Sequence, residues 1–341
     1  MSEEQQKGHV DVKVQPPQPQ SDVSSSEGEN SDANNDAKDN NVLDDFSDNE
    51  TDIELMHSRL VDMDNLDFSR FKSATFLGLR QNLIKKITNL EPLTSLTELD
   101  MYDNRLNAIE GLDTLTNLIY LDLSFNKIKT IDNIGHLVNL KDLFFVSNKI
   151  SVIENLSTLV NIRNLELGSN RLRKIENLDS LVNLEELYLG KNKIRKLEGL
   201  SNLKKLRLLS IQSNRIVKIE GLDKLENLEE LYLSHNGVLK IEGLENNHKL
   251  NTLDITSNRL TKLENVSHLE NLEELWLSGN ELSSFEDLKE QCSGLSNLQT
   301  VYLEGNPVQT SNRQEYKKLV KEAIPHIKQI DADMVEPIRL I

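Results

Sequence analysis

Apolar residues along most of this chain follow one pattern, Leu-x-x-Leu-x-Leu-x-x-Asn, as in the run from Leu118 to Asn126. Within it, Leu121 and Leu123 alternate with Tyr120 and Asp122, a period of two that predicts a short strand with its leucines on one face. The closing Asn stands at Asn82, Asn104, Asn126, Asn148, Asn170, Asn192, Asn214, Asn236, Asn258 and Asn280, each 22 residues after the last, and then at Asn306. Eleven units are readable. After each Asn comes a second apolar series, for example Ile128, Ile131, Ile134 and Leu137. Its spacing of three predicts tight turns of 3₁₀ type or short helical turns.

A unit this short cannot bury its apolar side alone, so consecutive units must stack. The repeat is a leucine-rich repeat and predicts an α/β solenoid: a horseshoe with a parallel concave sheet and a convex side of 3₁₀ or short helical turns. The recurring Asn is expected to bond backbone groups left unpaired where the chain leaves each strand, forming a ladder between repeats. The array proper is read as residues 73–306. Before it, apolar residues from Ile53 to Phe71 at spacings of mostly three or four predict an N-terminal cap over 53–72, either helical or a degenerate repeat. After it, Tyr316, Leu319, Val320, Ile324 and Ile327 form one helical stripe in a C-terminal cap over 307–341. Without caps the terminal repeats would present open apolar faces and strand edges.

Residues 1–52 run through Pro16, Pro17 and Pro19 into a mixture of Ser, Asp, Asn and Glu with few large apolar side chains, the composition of a disordered acidic tail. Ser24, Ser25, Ser26, Ser31 and Ser47 lie close before acidic residues, a context that acidophilic kinases favour. Three departures from the period stand out. Gly237 replaces the basic residue after the Asn, Asn247 takes an apolar position, and four extra residues between Ser283 and Leu295 include Cys292. Cys292 is expected to be a buried small side chain.

The net charge of −17 is concentrated at the start, where residues 1–56 carry 15 Asp and Glu against 3 Lys. The array is nearly balanced and lacks the basic footprint of a nucleic-acid binder. A single cysteine permits no internal disulfide, and no signal-like apolar segment opens the chain, so nucleus and cytoplasm are the expected compartments. No apolar run approaches membrane-spanning length. Neither a phosphate-binding Gly loop, a nucleophile elbow nor a zinc-type His and Cys spacing is present. The reading is therefore of a non-enzyme with no cofactor, no metal and no catalytic residue, and with neither nucleic acid nor membrane as partner.

Candidate chemistry lies on the concave side. The residue between the two inward leucines reads Gly78, Asp100, Asp122, Phe144, Glu166, Tyr188, Ser210, Tyr232, Asp254, Trp276 and Tyr302. Two residues earlier stand Glu98, Asp142, Glu186, Glu230 and Glu274. At about 4.8 Å per strand, Phe144 to Trp276 spans roughly 29 Å. Aromatic side chains are rigid interface anchors, so this row is an aromatic and acidic protein-docking face whose partner should present Lys or Arg. Basic residues instead follow the Asn on one rim, from Arg105 to Arg259, while Glu110 to Glu264 recur on the convex side, a pattern of local charge balance.

Uniform repeats of the form Asn-x-Ile-x-x-Ile-Glu-x-Leu-x-x-Leu-x-Asn-Leu, closed by this cap, resemble the leucine-rich-repeat regulatory subunits of type 1 protein phosphatase, the sds22-like repeat family, over about residues 53–335. The resemblance implies that Asp122, Phe144, Glu166, Tyr188, Asp254, Glu274, Trp276 and Tyr302 engage the phosphatase catalytic subunit. Tyr232 joins them from its place in the row. It also implies a non-catalytic subunit acting on the maturation, nuclear localisation or substrate choice of the phosphatase, with a role in mitosis and chromosome segregation. A further phosphatase inhibitor protein in a ternary complex belongs to the same expectation. The alternative, a scaffold in an RNA-processing or cytoskeletal complex, shares the repeat and the cap.

Overall fold

The computed structural model describes residues 42–335. Twelve three-residue strands carry the array: β1 (Asp52–Glu54), β2 (Phe76–Gly78), β3 (Glu98–Asp100), β4 (Tyr120–Asp122), β5 (Asp142–Phe144), β6 (Asn164–Glu166), β7 (Glu186–Tyr188), β8 (Leu208–Ser210), β9 (Glu230–Tyr232), β10 (Thr252–Asp254), β11 (Glu274–Trp276) and β12 (Thr300–Tyr302). Each pairs in parallel with the next, in sequence order throughout. The two-residue β13 (Gln329–Ile330) continues the sheet in parallel, and β14 (Asp333–Met334) folds back antiparallel on it.

Every strand turns its central residue inward. Leu99, Leu121, Leu143, Leu165, Leu187, Leu209, Leu231, Leu253 and Leu275 are all fully buried and stack at matching register. Burying one leucine stabilises a protein by roughly 2 kcal/mol, and in a solenoid these contributions accumulate repeat by repeat. The convex wall is made of consecutive three-residue turns. Leu137 N donates to Ile134 O at 2.9 Å, and Leu140 N donates to Leu137 O at 3.1 Å. The turns are of 3₁₀ type, and the first helix described, α1 (Phe285–Cys292), comes only in the lengthened repeat.

The Asn ladder forms as expected. Asn170 Nδ2 donates to Phe145 O of the preceding repeat at 2.8 Å and to Leu167 O and Gly168 O at 3.1 Å, while its Oδ1 accepts from Ile150 N at 3.0 Å. One side chain thus ties two repeats together where the strand ladder stops. The residue before each ladder Asn turns left-handed, with φ from 54° to 79° between Gln81 and Gly305. A second left-handed position on the convex side is held by Asn or Gly. At Gly111 (φ 71°) an added Cβ would lie 2.4 Å from Ile87 O, a contact that glycine at this position avoids.

At the N-terminal end the described residues contain no helix. Ile53 sits in β1 and pairs with Leu77, so residues 52–74 form a degenerate repeat, with Met63, Phe68 and Phe71 buried beneath it. The closure starts earlier than Ile53. Leu43 is buried, Phe46 meets Phe71 edge-on at 6.4 Å, and Arg70 bonds both Asp48 and Leu43 O. Residues 1–41, which hold most of the expected tail and Ser24, Ser25, Ser26 and Ser31, lie outside the described residues.

At the other end follow α2 (Pro307–Thr310) and α3 (Tyr316–Ala323). The helical stripe is shorter than the spacing implied, because Pro325 excludes helical geometry from the residue before it. Ile324 is the C-cap, and Ile327 reaches the core from beyond the helix. Asp331 then stands in for the next repeat, its Oδ1 accepting from Leu303 N and Glu304 N at 2.8 and 3.0 Å and its Oδ2 from Tyr316 Oη at 2.9 Å. Cys292 is fully buried in α1, and burial pushes its thiol up to about 12, which leaves it inert as a nucleophile.

Candidate protein-docking face

Sheet register turns the candidate residues into a physical row. Asp122 pairs with Phe144, Phe144 with Glu166, Glu166 with Tyr188, and Tyr232 with Asp254, which pairs with Trp276 and through it with Tyr302. Side chains two apart on a strand share a face, so Glu186, Glu230 and Glu274 lie beside Tyr188, Tyr232 and Trp276. All three couples are closed by hydrogen bonds. Tyr188 Oη donates to Glu186 at 2.9 Å, Tyr232 Oη to Glu230 at 2.5 Å, and Trp276 Nε1 to Glu274 at 3.0 Å. Each ring is thereby fixed in place, and each carboxylate keeps a second oxygen for another donor.

Aromatic side chains also meet one another. The Trp276 ring lies edge-on to Tyr232 and to Tyr302, with centroids 6.2 and 5.6 Å apart. Gln329 of β13 donates to Tyr302 Oη at 2.9 Å, so the C-terminal cap positions the last ring of the row. Such edge-on pairs hold a preformed surface at low entropic cost.

Comparison with known proteins agrees with this architecture. A leucine-rich-repeat family model matches residues 223–337, a two-copy repeat model matches 160–202 and 182–224, and a single-repeat model matches 117–137. Over 55 residues, 16% of this chain, the sequence is 49% identical to "Protein phosphatase 1 regulatory subunit SDS22" of Schizosaccharomyces pombe. Over 53 residues, 15% of the chain, it is 49% identical to the protein of the same name from Saccharomyces cerevisiae. It is a leucine-rich-repeat protein, similar to SDS22 over these stretches. The matched stretches span 17% and 16% of those two relatives. Among solved structures, internalin InlF of Listeria monocytogenes aligns with a TM-score of 0.66 at 22% identity, covering 84% of this chain and 87% of the internalin. The functional domain of InlJ from the same organism aligns at 0.62 and 26% identity, over 76% of this chain and 53% of the other. Both share the fold.

Members of the row in this leucine-rich-repeat array are not equally open. Phe144, Glu166, Tyr188, Tyr232, Trp276 and Tyr302 are partly exposed, as is Glu274, whereas Asp122 and Asp254 retain 7% and 4% of their surface. The buried aspartates first serve their own loops. Oδ1 of Asp122 accepts from Ser124 N at 2.8 Å, and Oδ1 of Asp254 accepts from Thr256 N at 2.9 Å. Asp100 does the same for Tyr102 N at 2.9 Å, with Arg80 Nε 3.4 Å from its other oxygen.

Burial is the largest influence on all of these carboxyls. It raises Asp122, Asp254 and Glu166 above the usual carboxylate range, with Asp122 adding repulsion at Glu166. Asp100 is pushed up to about 6 by burial, opposed by the Tyr102 N–H and reinforced by neighbouring Asp122. Among the described residues no three His, Cys, Asp or Glu are placed to hold a metal ion.

One aromatic group escaped the row-by-row reading. Tyr120 occupies the column of Glu98 and Asp142, and its ring lies 5.2 Å from that of Phe144. Reading that column for aromatics as well as acids finds it. Tyr102 and Phe125 form a second pair, 4.8 Å apart, with the Arg80 guanidinium 4.5 Å from the Tyr102 ring centre. They lie outside the two columns, on the loop leaving the strands.

Proposed function

We propose that this chain is a non-catalytic regulatory subunit that binds the catalytic subunit of type 1 protein phosphatase through the concave acidic and aromatic face. The observation that carries the reading is the set of bonded couples Glu186–Tyr188, Glu230–Tyr232 and Glu274–Trp276, in a chain similar to two yeast proteins named as regulatory subunits of that phosphatase. Fixed rings supply hot-spot area, and their carboxylates select a basic surface and orient it. Through this grip the subunit controls the maturation, nuclear localisation or substrate choice of the phosphatase, with a role in mitosis and chromosome segregation. Residence in nucleus and cytoplasm, and a further phosphatase inhibitor protein in a ternary complex, belong to the same reading.

The test is capture from cell extract by the wild-type chain beside a Trp276→Ala, Tyr302→Ala double variant, with circular dichroism verifying that both fold. Recovery of the phosphatase catalytic subunit by the wild type and its loss with the variant is the expected result. If neither captures the phosphatase, the assignment fails, and whichever protein the variant selectively loses takes its place.

A further inference from the structure

The convex flank separates its cations into two kinds. Lys174, Lys196, Lys218 and Lys240 each lie 3.6 to 4.0 Å from Glu176, Glu220 or Glu264. One column nearer the concave side, Arg171, Arg173, Lys193, Arg195 and Arg215 have no carboxylate within 4.0 Å among the described residues. Lys127, Lys129 and Lys149 extend this unpaired band toward the N-terminus. Leu172 and Ile194 are fully buried between Arg171 and Arg173 and between Lys193 and Arg195, and buried Ile216 follows Arg215, so these cations point outward. Repeat-to-repeat bonds keep them aligned: Lys193 N donates to Leu172 O and Arg215 N to Ile194 O, both at 2.8 Å.

Phe125 stands at the edge of the band, two residues before Lys127. It is 42% exposed and has a φ of 55°, a conformation that is costly for a bulky side chain. Other repeats place Gln81, Asp103, Ser147, Ser169, Lys191, Ser213, His235, Ser257, Gly279 or Gly305 there, so Phe125 is the one apolar side chain larger than glycine in this column. Its ring rests on Tyr102 at 4.8 Å, leaving the remaining surface to solvent.

We infer that this band is a second docking surface, for an extended acidic segment of another protein that lays one apolar side chain on Phe125. Charge complementarity and width select the occupant. The band is two outward columns across, about 7 Å, and carboxylates bound it on both sides: partly exposed Glu166 toward the concave face, Glu176 and Glu220 toward the convex one. A single extended peptide fits between them. A nucleic-acid duplex would bring its second phosphate chain over one of these acidic rows, and a single strand needs aromatic stacking faces along its length, which among the described residues of the band only the Phe125 end supplies.

The experiment is fluorescence anisotropy on the full chain with a labelled Glu- and Asp-rich peptide of about 12 residues containing one Phe. The same peptide with Ser in place of Phe, and an oligothymidylate of equal length, serve as controls. The Phe peptide is expected to bind best. An Arg171→Ala, Lys193→Ala, Arg195→Ala variant should lose on the order of tenfold in affinity, steeply salt-dependent in the wild type. Phe125→Ser should erase the preference for the Phe peptide while leaving the Ser peptide unchanged. Equal or tighter binding of the oligonucleotide, undiminished binding by the triple variant, or a preference surviving Phe125→Ser would each overturn the inference. Phosphatase capture by the triple variant, measured alongside, stays at the wild-type level, which separates this surface from the concave one.

Discussion

Trp276 Nε1 donates to a carboxylate oxygen of Glu274, 3.0 Å away and two residues upstream on the same strand. The indole and the carboxylate are therefore one hydrogen-bonded unit, both partly exposed on the concave face. Trp276→Ala and Glu274→Ala are each expected to weaken phosphatase binding by about 2 kcal/mol or more. Because the two side chains are bonded, the double variant should lose less than the sum. Calorimetric titration of the four proteins checks this; strict additivity, or an equal loss with Lys193→Ala, would count against a site on the concave row.

Asn170 illustrates how the ladder holds the stack. Its side chain makes four hydrogen bonds to backbone groups of two repeats while only 7% exposed. Asn170→Leu leaves Ile150 N without a partner and is expected to cost about 3 kcal/mol. The urea midpoint should fall accordingly; a variant as stable as wild type would remove the ladder from the account of stability.

Asn247 is the reverse case. It is fully buried, and its Oδ1 has no hydrogen-bond partner. Its Nδ2 donates to Leu222 O and Leu225 O, carbonyls that already accept from Leu225 N and Leu228 N. Equivalent positions in neighbouring repeats hold Leu225 and Leu269, both fully buried. Asn247→Leu is therefore expected to stabilise the array by about 1 kcal/mol, read as a rise in melting temperature. A fall would mean that the cavity at this repeat does not accept the larger apolar side chain.

Asp100 makes stability depend on pH. Its carboxyl is raised from 3.8 to about 6, chiefly by burial, so the folded state holds the proton more tightly than the unfolded chain. Its contribution is fully present below pH 3.8 and is lost as pH rises through about 6. Asp100→Asn keeps the acceptor for Tyr102 N without the charge. Relative to wild type it should gain about 2 kcal/mol between about pH 4 and about pH 7. Parallel pH profiles from chemical denaturation of the two proteins would refute it.

The strand positions, the inward leucines, the Asn ladder and the membership of the concave row were all legible in the sequence. In a stack of 22-residue units, a residue's spatial neighbours are its counterparts at fixed sequence offsets, so periodicity alone carries the topology. The spacing of three was equally sufficient for the convex turns.

What only the tertiary structure decided is how side chains share that surface. Spacing lists Asp122 and Asp254 beside Glu166 and Glu274, yet the first two are buried and bonded to their own loops. The edge-on meeting of Tyr232 and Trp276, two strands apart across Asp254, depends on the rotamers of long side chains converging over a curved sheet. The irregular ends, where Leu43 and Phe46 close one side and Pro325 stops α3 short on the other, are likewise set by packing. There the period breaks, and without a repeating neighbour only three-dimensional contact determines which residues are covered.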